Sequence, residues 1–418
     1  MTSRLGSLVV VLALAAASSA APAAFAQTGA PVPTPAPAAG EKTEERKEEE
    51  KPKTYWEEHR LYGYIENSYT FNLTGAGRDA TNELRFYDFD EGYTFNVAAF
   101  SIKKDPSERY PWGYGLVVTA GLDSQKTHSL GIFRGLDDTF PFRNTPPVDL
   151  QEAYVSAMLP IGSGLTVKGG KFVTLLGYEV IDSPNNLNFS RGYLFSFAIP
   201  LTHTGGLLSY TFSEQFSMTA GVVLGWDNSR DNNDGVSFTG QFATTPIKDL
   251  AVNLNWIVGP EQNDNKANQR AVLDLVVNYT GLKNTILGLN VDYGFEQDEA
   301  FLRALGTRQD NDARWWGVAG YAAYDVTDWF RLAFRQEFFQ DQNGARTGFG
   351  NRVVYWTSTV TAQFKIWKGL VARAEYRHDA ASEKVYKAQT TRPDASGGVV
   401  AESKKLDTFS LSLYYSFF

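Results

Sequence analysis

From His59 onward the chain repeats one short pattern, with apolar residues at every second position and polar residues between them. Across 250–258, Leu250, Val252, Leu254, Trp256 and Val258 oppose Asn253 and Asn255. Leu287, Leu289, Val291, Tyr293 and Phe295 oppose Asn290 and Asp292, and Phe330, Leu332, Phe334 and Phe338 oppose Arg331, Arg335 and Glu337. A period of two puts successive side chains on opposite faces of a β-strand. About sixteen such segments occur, near 59–73, 83–102, 112–123, 150–159, 164–172, 204–212, 215–226, 236–245, 249–258, 270–280, 284–296, 313–325, 328–340, 353–366, 369–378 and 404–418. In the last of them Phe409, Leu411, Leu413, Tyr415 and Phe417 face away from Thr408, Ser410, Ser412, Tyr414 and Ser416.

The connections alternate in length. Short ones (160–164, 212–214, 281–283, 325–328 and 367–369) are interleaved with long polar ones (124–149, 173–203, 227–235, 259–269, 297–312, 341–352 and 379–403). A soluble sandwich has no reason to sort its loops by parity, whereas a transmembrane barrel has tight periplasmic turns and long external loops. The pattern therefore predicts an all-β fold, a transmembrane antiparallel β-barrel of about 16 strands with short periplasmic turns and long extracellular loops. On this reading an Arg at Leu254, Leu289 or Leu332 meets lipid and is costly, while Asn255, Asn290 and Thr359 face the lumen and tolerate change.

Composition agrees. Mean hydropathy is −0.29, yet aromatic residues make up 14% of the chain. In a barrel only alternate strand residues meet lipid, and aromatics ring both interfaces. Trp112, Tyr154, Trp226, Tyr279, Trp315, Trp316, Trp329, Trp367 and Tyr415 are candidates for those girdles. At the start, Arg4, the apolar run Leu8 to Ala17 and Ala24-Phe25-Ala26 have the form of a signal peptide, 1–26, too short to span a bilayer. A Pro/Ala stretch and a Glu/Lys-rich run then form an expected disordered periplasmic tether, 27–57, ahead of a barrel domain, 58–418. The chain has no cysteine, which excludes disulfides, thiol catalysis and a lipid anchor on Cys. The expected location is the outer membrane.

One stretch carries a specific resemblance. Gly177-Tyr-Glu-Val-Ile-Asp-Ser-Pro-Asn-Asn-Leu-Asn-Phe-Ser-Arg-Gly-Tyr-Leu-Phe195, followed by Pro200-Leu-Thr-His203-Thr-Gly205, resembles the signature of the putative β-barrel porin-2 (OmpL-like) outer-membrane family. Gly63-Tyr64, Leu84-Arg85-Phe86 and the terminal strand extend the likeness over the whole barrel. The resemblance implies a porin that passes small hydrophilic solutes by passive diffusion, without naming a solute. It also implies outer-membrane lipid and the barrel-assembly machinery, met through the C-terminal strand, as partners. A homotrimer is compatible with it. One departure is that Phe417 continues the lipid-facing row, so Phe418 is out of step unless a bulge or frayed end absorbs it.

Inward-facing charge is where a porin differs from an inert barrel. Arg331, Arg335, Lys365, Arg373, Arg377 and Lys168 are candidate pore-lining cations, with Glu337 and Glu375 among them. They either focus a positive potential into the channel or form ion pairs that stiffen the wall. Loops 124–149 and 173–203 contain apolar residues that a solvated loop does not need: Ile132, Phe133, Phe140 and Phe142 in one, Leu175, Leu176, Leu194, Phe195 and Phe197 in the other. Folded inward, these loops would set Asp137, Asp138, Glu179 and Asp182 against the arginines, with Arg191 and His203 in the same constriction. The alternatives are an external cap or a subunit contact.

No catalytic, cofactor or metal signature accompanies these features. The histidines are His59, His128, His203 and His378, with none in metal spacing, and His203 lacks a serine two residues on. The dipeptide His378-Asp379 is weak evidence for a protease. Net charge is −8 and no basic array suits nucleic acid. A structural or adhesive barrel without conductance stays open, and an outer-membrane hydrolase is the remoter alternative.

Overall fold

The computed structural model describes residues 54–74, 91–133, 146–306, 311–387 and 403–417. Sixteen strands close into one antiparallel barrel in sequence order. They are β1 (His59–Asn72), β2 (Gly92–Lys104), β3 (Trp112–Ala120), β4 (Val148–Leu159), β5 (Leu165–Val173), β6 (Thr202–Ser213), β7 (Phe216–Val223) and β8 (Ser237–Ile247). The second half comprises β9 (Leu250–Gln262), β10 (Asn265–Tyr279), β11 (Thr285–Glu296), β12 (Ala313–Asp325), β13 (Phe330–Asp341), β14 (Val353–Trp367), β15 (Leu370–Ala381) and β16 (Lys405–Phe417). Two short helices, α1 (Leu122–Thr127) and α2 (Ala300–Leu305), lie in external connections. β1 pairs with β2 on one side and β16 on the other, so no strand edge is left unpaired. Closure is what lets a sheet cross hydrocarbon, where an unpaired backbone group has no water to satisfy it.

The faces fall where the alternation puts them. Leu254, Leu289 and Leu332 are 37%, 36% and 43% exposed on the outer wall, whereas Asn255, Asn290 and Thr359 are 0%, 2% and 0% exposed. Tolerance at the second set is nevertheless corrected by its surroundings. The Asn255 and Asn290 side-chain amides both donate to Asp274, at 2.6 and 2.5 Å, and Thr359 Oγ1 accepts from Arg335. These are members of a buried network, and a buried partner left unpaired is costly.

Three other expectations change. Tyr154 and Trp315 are buried in the lumen, so they belong to no girdle, and Trp226 packs against Arg270 and Arg346; Trp112, Trp316, Trp329, Trp367 and Tyr415 are exposed on the outer wall. The stretch 259–269 is largely strand, because β9 and β10 run on past the membrane to a tight turn with Asp264 at φ 55°. Beyond lipid a strand needs no apolar face, so its sequence there reads as a loop. Finally, Phe417 pairs with Gly63 with no register shift in either pairing of β16, and Phe418 lies outside the described residues.

The apolar core lies inside the barrel. Val272, Ile286, Trp315, Ala319, Tyr321, Phe339 and Tyr355 on the inner wall pack against Leu175, Leu176, Leu187, Tyr193, Leu194 and Ile199. One sector of the lumen is therefore apolar and filled.

Candidate functional site: a loop folded into the barrel

The filling is the connection between β5 and β6. At Gly170, within β5, the backbone takes φ +136°, and a Cβ there would meet the Ala153 carbonyl oxygen at 2.3 Å, so this position admits only glycine. Lys171 then reaches in, its ammonium donating to the Leu150 carbonyl and lying 3.6 Å from Asp149. Thr174 N–H donates to the Leu201 carbonyl, pinning the two ends of the loop together.

A backbone that leaves the sheet and enters a lumen must find partners for every N–H and C=O it buries. Here the wall's charged side chains supply them, with carboxylates taking N–H groups and arginines taking carbonyls. Asp274 accepts from Gly177 N–H at 2.8 Å, and Asn290 from Tyr178 N–H at 3.2 Å. Glu375 accepts from Phe189 and Ser190 N–H at 2.6 and 3.0 Å. Glu337 accepts from Tyr193 and Leu194 N–H at 2.7 and 2.6 Å. Arg373 donates to the Ser183 and Asn186 carbonyls, and Arg377 to the Arg191 carbonyl. Arg335 pairs with Glu179 at 2.5 Å and donates to the Ser190 carbonyl. Near the exit, Trp315 Nε1–H donates to the Ala198 carbonyl and Asp227 accepts from Leu201 and Thr202 N–H.

The loop also braces itself. Arg191 is 1% exposed and donates to the Val180, Phe189 and Ile181 carbonyls, folding the segment on itself, while Glu179 accepts from Gly192 N–H. Toward its exit the loop meets two further groups outside the membrane strands, Asp227 and Arg346. Burial pushes the Asp227 carboxyl above its ordinary range, opposed by the two N–H groups it accepts. Arg346 donates to the Phe197 carbonyl and lies over the Trp226 and Trp315 rings; burial, then neighbouring Arg270, lowers its pKa to about 10.

The expected residues thus separate. Arg335, Arg373, Arg377, Glu337 and Glu375 do face the lumen, but beneath the loop, each 3% exposed or less. Of the two arrangements, the geometry resembles ion pairs and loop supports more than a row of arginines open to channel water, since most of their donors meet loop carbonyls and carboxylates. Arg331 faces inward near the periplasmic turn and is held bidentately by Asp325 at 2.7 and 2.8 Å. Lys365 is exposed at the end of β14, where the register with β15 shifts. Lys168 lies over the Tyr154 ring at 4.4 Å. Glu179 and Arg191 lie in the inward loop, each buried. Asp182 is half-buried, with the Gln151 side-chain amide 3.5 Å away. His203 is buried, bonded to the Gly225 carbonyl and Thr174 Oγ1.

The neighbouring loop folds inward over its near half. His128 and Ser129 are buried, and Ser129 Oγ bonds Thr202 Oγ1 at 2.8 Å; in α1, burial and then nearby Glu66 push the Asp123 carboxyl up to about 7. Asp137, Asp138, Phe140 and Phe142 lie outside the described residues. His378 and Asp379 point to opposite faces, toward Asp407 and Arg377 respectively, so the dipeptide forms no pair.

Beside the loop a cavity of about 140 Å³ remains. The loop lines one side of it with Leu176, Tyr178, Val180 and Leu187. The wall contributes Gln151 from β4, and Ala251, Asn253, Val276, Asn278, Ile286 and Tyr321 from β9 to β12. In the sequence these wall positions and Asp274 carry no mark of a site, although Asn253 falls on the polar row opposite Leu254. The nearest thing to a signal is in β10, where Val272, Asp274 and Val276 share the inner row and only one is polar.

A closed barrel of sixteen strands with lipid-facing apolar rows, and a lumen narrowed by an inward loop, defines an outer-membrane porin. The chain belongs to the family described as putative beta-barrel porin-2, OmpL-like, which it matches over residues 59–417. It is an outer-membrane porin of the passive-diffusion type. No curated protein matches the chain in sequence. Among solved structures it is similar to OmpF of Salmonella typhi, in complex with daunomycin (15% identity, 86% of this chain and 97% of that one, TM-score 0.55). It is also similar to an anion-selective porin from Comamonas acidovorans (10% identity, 86% and 99%, TM-score 0.54). A third is the trimer form of OmpT, an outer membrane protein of Vibrio cholerae (12% identity, 86% and 99%, TM-score 0.50).

Proposed function

We propose that the segment 174–201 is the constriction of this porin, and that solutes pass beside it, by way of the cavity it shares with β4 and β9 to β12. The observation that carries this is the assignment of wall charges to loop backbone. Glu337, Glu375, Arg373 and Arg377 serve the loop's amides and carbonyls, so they hold it in place and act on passing ions only weakly. Selectivity toward anions is then slight, because Arg335, Arg331 and Arg377 each have a carboxylate partner. The channel carries out no chemistry. Its active unit is a homotrimer, as in the OmpT trimer form, and the chain reaches the membrane through a cleaved signal peptide, 1–26, with 27–57 as a periplasmic tether.

Planar-bilayer recordings of refolded protein test the assignment. Glu337→Gln with Glu375→Gln should raise single-channel conductance by freeing the loop, and unchanged conductance in a folded variant would remove the loop from the path. The filled apolar sector is the observation that favours the second reading, a closed structural barrel, and a silent parent protein would select it.

A further inference from the structure

We infer that the cavity beside the loop is a recognition subsite for neutral organic solutes that combine an apolar ring or chain with a hydrogen-bonding edge. The inference deepens, and rests on, the placing of the constriction at 174–201. Two features of the lining carry it. Val276, Ile286 and Tyr321 from the wall line the cavity with Leu176, Val180 and Leu187 from the loop, an apolar slot that offers an inorganic anion nothing to replace its hydration. Set into the same lining are three amide side chains, Gln151, Asn253 and Asn278, whose carbonyl oxygens have no hydrogen-bond partner although they are shielded from solvent. Gln151 itself is only 2% exposed.

A shielded, unpaired amide oxygen is costly unless a ligand group pairs with it, and an amide can turn to present either its acceptor or its donor. The charged residues in the lining are both acidic. Glu179 is committed to Arg335 and Gly192, which leaves the half-buried Asp182 as the charge that meets a solute. Among the described residues that line the cavity none is Lys, Arg or His. The slot therefore disfavours phosphate, sulfate and carboxylates, and suits a solute with an apolar face whose hydroxyl or amide groups reach Asn253, Asn278 and Gln151. A small pocket of this kind, mostly apolar with a few fixed polar groups, is the usual form of a ligand site.

The test uses two glucosides that differ in one group, phenyl β-glucoside and methyl β-glucoside, with inorganic phosphate as the ionic control. Each is titrated against single-channel current, and binding to the detergent-folded full chain is measured by calorimetry. Phenyl β-glucoside should interrupt the current and bind about tenfold more tightly than methyl β-glucoside, from the extra apolar surface it buries, while phosphate does neither. Ile286→Ser should remove most of that preference, and Asn253→Leu should weaken both glucosides alike while keeping the preference, both variants being checked for heat-modifiable migration. Equal behaviour of the two glucosides, a preference that survives Ile286→Ser, or unchanged binding of both in Asn253→Leu would overturn the subsite while leaving a conducting porin intact. A parent that conducts nothing would remove the constriction reading instead. In that case, saturable calorimetric binding of phenyl β-glucoside that is lost in Ile286→Ser upholds the subsite, and its absence refutes it.

Discussion

Glu337→Gln isolates the logic of the latch, because it keeps the volume of the side chain and changes one acceptor into a donor. In the parent both carboxylate oxygens are occupied, by the N–H groups of Tyr193 and Leu194 at 2.7 and 2.6 Å, on a residue 1% exposed. The amide can still accept from one N–H, but its NH₂ confronts the other. Losing a charged hydrogen bond costs about 1.5–3 kcal/mol and stranding a buried N–H about 1–3 kcal/mol more. Partial relaxation should leave the loop easier to open by roughly 2–5 kcal/mol, about 30-fold to several-thousand-fold in the opening equilibrium. Hydrogen exchange read by mass spectrometry on peptides spanning 187–199 reports that change directly, with β10 to β15 as internal controls. Exchange within threefold of the parent in those peptides would refute the claim that the wall carboxylate holds the loop. Acceleration throughout the strands would show that the variant damages the barrel rather than the latch.

Other consequences follow from the same geometry. Leu289→Arg, on the outer wall, should destabilise the barrel by about 2–4 kcal/mol in urea unfolding from vesicles; an unaltered unfolding curve would contradict the facing. Arg335→Gln leaves Glu179 buried without its partner and should cost about 3–5 kcal/mol, whereas Arg331→Gln, at a more exposed pair, should unfold nearly as the parent does. Similar losses at both sites would contradict the burial difference. For Asp123 the folded carboxyl titrates at about 7 against about 3.9 when unfolded. The folded protein thus binds this proton more tightly, and the stability it contributes is complete below about pH 4 and lost as pH rises through about 7. Asp123→Asn should accordingly gain melting temperature over the parent at pH 8 and little at pH 4; a gain that is constant with pH would exclude this carboxyl.

Much of the barrel was legible because lipid imposes a strict rule on alternate residues. Leu287, Leu289, Val291 and Tyr293 have one environment, and a period of two is its direct imprint. The external ends of β9 and β10 were not legible for the same reason, since Pro260 to Asn268 lie where no lipid acts on either face. The loop's place in the lumen was signalled by Leu175, Leu176, Leu194 and Phe195, apolar residues with no other surface to cover. What the charges do there was harder to read. Arg373 on the inner row looks the same in sequence whether it faces water or the Ser183 carbonyl, because that contact joins residues far apart in the chain. Trp315 misleads similarly, as an aromatic near a strand end that turns inward to the Ala198 carbonyl instead of outward to the interface.

Single-channel recording of the parent protein beside a variant with residues 178–197 replaced by a short Gly/Ser linker is the most direct test of the central claim. The parent should give discrete, reproducible openings of low conductance and weak ion preference. The variant, confirmed as a folded barrel by heat-modifiable migration, should give openings several-fold larger, because the segment that fills one sector of the lumen is gone. Equal conductance in the two proteins would place the constriction elsewhere, and silence in both would contradict the account of this barrel as a porin.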